Sequence, residues 1–195
     1  MKRISAIIIF AAVVLTLTAC GGEQQPTQTT TTEASASSIG SALELLTTVW
    51  SSYGEEEKFA ASGGDASEEN MSMDGPGKYG IEDAGALDST LGFPAASADK
   101  IDDAASLMHM MNANTFTCGA FHLKNPADSA SLAQEIKTNI MQRQWLCGFP
   151  DKVVIVAVDD YLVSFFGNNE IIDTFKAKLI SAYPSAEVLS EDAIL

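Results

Sequence analysis

Residues 153–166 read Val153-Val154-Ile155-Val156-Ala157-Val158-Asp159-Asp160-Tyr161-Leu162-Val163-Ser164-Phe165-Phe166. The first six are apolar and mostly β-branched, which suits a strand that is central or covered on both faces. Asp159-Asp160 interrupts the run, and a second apolar strand returns from Tyr161 to Phe166, so the stretch predicts a β-hairpin. Gly167-Asn168-Asn169 breaks it. From Ile171 to Tyr183, the residues Ile171, Ile172, Phe175 and Leu179 recur at helical spacing, and Pro184 stops that helix.

Toward the N-terminus the same order of elements recurs. Ser106 to Met111 is apolar and reads as a strand, Asn112-Ala113-Asn114 as a turn, and Phe116 to Leu123 as a strand. In the last of these, Phe116, Cys118 and Ala120 share one face, and Phe121 and Leu123 the other. Pro126 with Asp128 or Ser129 opens a helix toward Trp145, with Leu132, Ile136, Ile140 and Met141 as its inner stripe. Strand, strand, helix, twice over, predicts an α+β domain. Its small antiparallel sheet has about four strands, with the helices packed on one face. Upstream, Ala98 to Ala105 reads as a turn or helical start, and Ile81 to Leu91 as a short helix. Glu55 to Gly77 is rich in Gly, Ser and acid and reads as a long loop. An N-terminal helix is expected over Ile39 to Tyr53, capped by Ser38 and stopped by Gly54.

The start of the chain carries a different kind of signal. Lys2-Arg3 precedes the apolar run Ile7 to Leu17, which is too short to span a bilayer, and Leu17-Thr18-Ala19-Cys20 closes it. This is the pattern of a bacterial lipoprotein signal peptide ending in a lipobox. Cleavage before Cys20 and lipid on its sulfur are expected, and each buried acyl CH₂ contributes about 0.8 kcal/mol to the anchor. Residues 21–38 (GGEQQPTQTTTTEASASS) are polar and of low complexity, the composition of a disordered tether. The expected organisation is a signal peptide at 1–19, lipidated Cys20 and tether at 20–38, a helix with an acidic loop at 39–77, and the α+β domain at 78–195. The expected place is the extracytoplasmic side of the cell membrane.

Eleven Lys and Arg stand against 26 Asp and Glu, a formal net charge of −15. That balance argues against nucleic-acid binding, which needs a basic stripe, and against lying flat on anionic lipid. With Cys20 spent on lipid, Cys118 and Cys147 are either a disulfide, which an exported chain permits, or two separate buried thiols. Neither lies in a C-x-x-C pair.

The candidate sites are few. His109 and His122 are the only histidines, and paired strands could bring them together across a hairpin. A metal site there needs a third ligand, with Asp103 or Cys118 as candidates. The alternative is two unrelated histidines, since no H-x-x-x-H spacing exists. A Cys118–His122 nucleophile pair is disfavoured, because residues four apart on a strand are about 13 Å apart at the backbone. Asp159-Asp160 offers two carboxylates for acid–base work, or simply two turn residues pointing into water. Asn70 to Gly75 imitates the front of a calcium loop, but Ile81 stands where the last ligand should be and Glu82 is one place late. Gly75-Pro76-Gly77-Lys78 lacks the spacing of a phosphate loop. Met71, Met73, Met108, Met110 and Met111 suit an adaptable binding surface or copper(I), against ordinary core packing for Met108 and Met110. Trp50 and Trp145 read as packing residues. No cofactor is implied.

With the lipobox, Tyr79-Gly80-Ile81, Met110-Met111-Asn112 and the hairpin strand Tyr161 to Gly167 read together, the chain resembles a family of uncharacterised lipoproteins. The family is domain of unknown function four-three-five-eight, of clostridial-type Gram-positive bacteria. The resemblance runs from Lys78 to Ala182. The chain departs from it at Cys118-Gly119, where members tend to have branched aliphatics, and at Trp145-Leu146-Cys147. The resemblance implies location and fold and transfers no active site. The expected function is therefore a lipid-anchored, non-catalytic binding or protein-interaction module of the cell envelope. Its membrane contact runs through Cys20, and its partner is an envelope protein or a small ligand. The alternatives are a small extracytoplasmic enzyme using Cys118, His122 or Asp159-Asp160, and a metal-handling lipoprotein using the methionines and histidines.

Overall fold

A computed structural model of the chain describes residues 39–146 and 148–194. The expected signal peptide, Cys20, the tether and Cys147 lie outside the described residues. In chain order the elements are helix α1 (Ala42–Ser51) and the short strands β1 (Ala61–Gly63), β2 (Ser72–Met73) and β3 (Gly77–Lys78). A helical turn α2 (Ala84–Ala86) and strands β4 (Ile101–His109) and β5 (Phe116–Leu123) follow. Helix α3 (Ser129–Met141), strands β6 (Lys152–Val158) and β7 (Tyr161–Gly167), helix α4 (Asn169–Ala182) and strand β8 (Glu187–Ala193) complete the fold.

All eight strands form one antiparallel sheet in the order β2-β1-β4-β5-β7-β6-β8, with β3 paired to β4. This corrects the expected small sheet of about four strands. The four central strands are the ones that apolar alternation makes visible. The other four escape it for physical reasons. β1, β2 and β3 are two or three residues long and lie within the Gly- and Ser-rich stretch that reads as loop. β8 is acidic, pairs with β6 and packs only Leu189 on the core, with ion pairs holding its polar residues. Glu191 meets Lys152 and Lys176 at 2.9 and 2.7 Å, while Asp192 meets Lys137 at 2.8 Å. β4 also begins at Ile101, inside the segment that reads as a turn.

The helices cover both faces of the sheet, a second correction. Val154, Val156, Val158, Tyr161, Val163 and Phe165 pack with α1 and α4. Val153, Ile155, Leu162 and Phe166 pack with α3 and the π-helical turn Leu87–Leu91 on the other side. The cause is already present in residues 153–158. A strand apolar on both faces needs cover on both, because one exposed face would leave several branched side chains in water.

On the first face, Phe175 of α4 meets Phe116 at 5.2 Å and Phe165 at 4.9 Å between ring centres. α1 starts at Ala42, with the Ser41 hydroxyl accepting the Glu44 N–H at 3.1 Å, so the cap lies three residues beyond Ser38. Asp103 fixes that end to the sheet by accepting the Ala42 N–H at 2.7 Å.

Candidate functional site

The outer edge of β4 is used twice. β1 pairs with Met108 and His109, and β3 pairs with Ala105 and Ser106. The chain leaves the edge at Gly63-Gly64 and returns at Gly77. This exchange works because the backbones cross without side chains. A Cβ on Gly63 would lie 2.2 Å from the Gly77 nitrogen and 2.5 Å from the Ser106 carbonyl oxygen. Gly64 adopts φ +85°, which favours glycine. The buried Ser106 hydroxyl pins the crossing. It accepts the Gly64 N–H at 2.9 Å and donates to the Gly64 carbonyl at 3.2 Å.

The loop beyond is organised around Asp65. Its carboxylate accepts the Ser67 hydroxyl, the Ser67 N–H at 2.9 Å, the Asn70 amide at 2.8 Å and the Gly80 N–H at 2.8 Å. Those bonds, led by the Ser67 hydroxyl, outweigh its partial desolvation and hold the carboxyl far below the usual range. Asn70 to Gly75, the calcium-loop mimic, therefore has other work. Asn70 ties to Asp65, and Asp74, with φ 65°, offers its carbonyl to the Trp50 indole N–H at 2.9 Å.

Around this crossing lies a groove of about 660 Å³. Met71, Met108, Ala66 and Ala86 give it apolar walls, and Asp65, Glu82 and Asp83 give it charge. Tyr79 and Gly80 of the Tyr-Gly-Ile segment line it too. The Tyr79 hydroxyl donates to the Ala86 carbonyl at 3.2 Å, and Asp83 caps α2 by accepting the Ala86 N–H at 3.0 Å. Cross-strand register sets Met73, Ser62 and Met108 in one row across β2, β1 and β4. Met71, Met73, Met110 and Met111 are 55%, 60%, 38% and 79% exposed, and Met108 is half-buried. Core packing, the alternative reading for Met108 and Met110, does not describe them.

The two histidines do not meet. His122 stands opposite Asp103, and His109 lies six residues farther along β4, about 20 Å away. His109 stacks on Phe59 at 5.7 Å between ring centres and accepts the Met111 N–H at 3.3 Å. His122 is clamped by two carboxylates. Nδ1 is 2.5 Å from Asp102 and Nε2 is 3.0 Å from Asp160. Partial burial works against its charge, but the bonds and charges of Asp102 and Asp160 win and raise its pKa above 6.5. With both ring nitrogens engaged, His122 has none left for a metal. Among the described residues, no group of three or more His, Cys, Asp or Glu is placed to hold a metal ion. Cys118 is a free thiol, wholly buried, and burial raises its pKa well above the ordinary value, the reverse of an activated nucleophile.

The clamp makes a pH prediction. A raised folded-state pKa means that protonated His122 stabilises the fold. That contribution is complete just below the ordinary His value and is lost as pH rises through the folded value. His122→Gln is expected to cost about 1 kcal/mol at about pH 6 and much less at about pH 9. Urea unfolding of both proteins at the two pH values measures it, and an equal gap at both would rule the clamp out as a charged contact.

Asp103, a candidate third ligand beside the two histidines, does not reach His122: the register slips between Ile101 and Asp103, so Asp102 meets His122 while Asp103 turns to α1. The groove residues Asp65, Glu82 and Asp83, and Ser106 at the crossing, lie in no recognisable motif. The one available signal was Gly63-Gly64 within an acidic stretch, since adjacent glycines mark a close backbone approach. Comparison with protein-family models, with curated proteins and with solved structures finds no match to the chain, so its function is argued from its own residues.

Proposed function

We propose that the protein is a lipid-anchored binding module on the extracytoplasmic side of the cell membrane, held through Cys20, and that the groove beside β1 and β4 is its binding surface. The observation that carries this reading is the groove itself. It has a volume of about 660 Å³, and the exposed Met71 and half-buried Met108 give it an adaptable apolar wall. The lipobox and the polar composition of residues 21–38 support the anchor. The polar groups of highest chemical interest are committed to the fold: His122 to two carboxylates, Asp103 to α1, and Cys118 to the core.

Two measurements test the two parts. In membrane fractionation the parent chain is expected with the membranes and Cys20→Ala in the soluble fraction. A Cys20→Ala chain that still sediments with membranes overturns the anchor. For the groove, a photo-crosslinking residue is placed at Met71 and, as control, at Ile180 on α4, which is also exposed. Adducts in cells are expected from position 71 alone, and none from position 71 overturns the groove as the binding surface.

A further inference from the structure

We infer that the groove binds an extended peptide segment of a partner protein that carries Lys or Arg and apolar residues together on one face. This rests on the binding-module reading and names the chemistry of its partner. Three observations carry it.

The first is charge. The described lining holds three carboxylates, Asp65, Glu82 and Asp83, and no Lys or Arg. The nearest basic residue along the chain, Lys78, pairs with Ala105, whose side chain packs on the opposite face of the sheet, so Lys78 projects away. Asp65 is already saturated by four hydrogen bonds, which keeps it ionised and leaves it as a fixed field source. Asp83 spends one oxygen on its cap. Glu82 is exposed and is the carboxylate left to meet a cation directly. A chain with net charge −15 also draws cations toward this surface from a distance.

The second is the apolar wall. Carboxylates alone select a bare cation. Met71, Met108, Ala66 and Ala86 between them require an apolar partner in the same contact. Thioether side chains are flexible and polarisable and follow an irregular apolar surface. A ligand that presents basic and apolar side chains on the same face satisfies both, and in an extended chain that face is made by residues two apart.

The third is extent. The methionine surface does not end at the groove. Met73 lies across β1 from Met108, and Met110 continues along β4 beyond it, with its N–H on the Ala60 carbonyl at 2.8 Å. Three strands at about 4.8 Å spacing give a strip about 10 Å wide, which suits a peptide better than a single small cation.

The test uses the full chain in neutral detergent, with ¹³C-labelled methionine methyl groups, titrated with an acetylated peptide of Lys-Lys-Leu-Leu repeats, which carries Lys and Leu on each face when extended. Saturable shifts are expected at Met71 and Met108, with Met141 on α3 unmoved. The same peptide with Glu in place of Lys should shift neither. Glu82→Gln should weaken the Lys–Leu peptide about two- to fivefold, the size of one exposed charge contact. Equal response to the acidic peptide, no response, or shifts confined to Met110 and Met111 each overturn the inference. If position 71 crosslinks in cells while the basic peptide fails, the binding groove stands and its ligand chemistry is wrong. If both fail, the groove itself is wrong.

Discussion

Phe175→Ala is expected to lower the unfolding free energy of the domain by about 3–5 kcal/mol. Phe175 is wholly buried where α4 crosses the sheet, between Phe116 of β5 and Phe165 of β7. Truncation removes the apolar area of a full ring and leaves a cavity in a wall of rigid strands. Those strands cannot collapse into it, because β5 and β7 are each paired to a neighbour on both sides. Two edge-on or tilted aromatic contacts are lost as well, at about 0.5–1.5 kcal/mol each beyond their area. For a domain of this size, such a loss lowers Tm by roughly 10 °C. Val188→Ala is the control, since Val188 is 40% exposed on the edge strand β8 and should change stability by less than about 0.5 kcal/mol. Urea unfolding of the three proteins decides it. A Phe175→Ala cost near that of the control would mean that α4 does not sit on this face.

What the sequence shows of the fold follows from where apolar burial is regular. Val153 to Phe166 announces its hairpin because every residue but the turn and Ser164 is apolar. In Phe116 to Leu123 the two faces separate by alternation, Phe116, Cys118 and Ala120 toward α4 and Phe121 and Leu123 toward α3. In α3 and α4 the buried stripes Leu132, Ile136, Ile140 and Ile172, Phe175, Leu179 stand at helical spacing. Met141, read into the first stripe, is 38% exposed at the helix end. Where pairing depends on something other than apolar side chains, the sequence is mute. β8 is held by Lys152, Lys176 and Lys137, whose partners are distant in the chain. β1 and β3 are held by glycine crossings and one serine hydroxyl.

The site was less legible than the fold for the same reason. The methionines drew notice as a composition, but only the register of β2, β1 and β4 puts Met73 and Met108 in a row. His122 and Asp160 are 38 residues apart and meet because β5 pairs with β7, with His122 opposite Tyr161. Had the β5–β7 pairing been assumed, that contact was derivable. The bulge that exchanges Asp103 for Asp102 was not, since nothing in Ile101-Asp102-Asp103 marks it.

Gly63→Ala is expected to detach the groove from the sheet while leaving the central strands folded. A Cβ at Gly63 would meet the Gly77 nitrogen at 2.2 Å and the Ser106 carbonyl oxygen at 2.5 Å, both backbone atoms of paired strands. Side chains can swing aside from such a clash, but these atoms move only if β1 or β3 leaves β4. Overpacking of this kind costs about 1–3 kcal/mol, and here the displacement also breaks the Ser106 bonds to Gly64, exposing or orphaning two backbone groups. Hydrogen exchange reads the result locally. The amides of Gly64, Tyr79 and Met110, bonded to the Ser106 hydroxyl, the Ala104 carbonyl and the Ala60 carbonyl, should lose protection. Those of Val154 and Val156, between β7 and β8, should keep it. Gly75→Ala is the matched control, because a Cβ there would touch only the Trp50 ring at 3.5 Å, an ordinary contact. The same variant separates the two roles of the edge. If Gly63→Ala abolishes crosslinking from position 71 while the central amides stay protected, binding depends on the geometry of the crossing and not on the presence of methionines near it. Retained crosslinking with lost protection would show that the methionines suffice without the crossing, and that the glycines serve only the edge of the sheet.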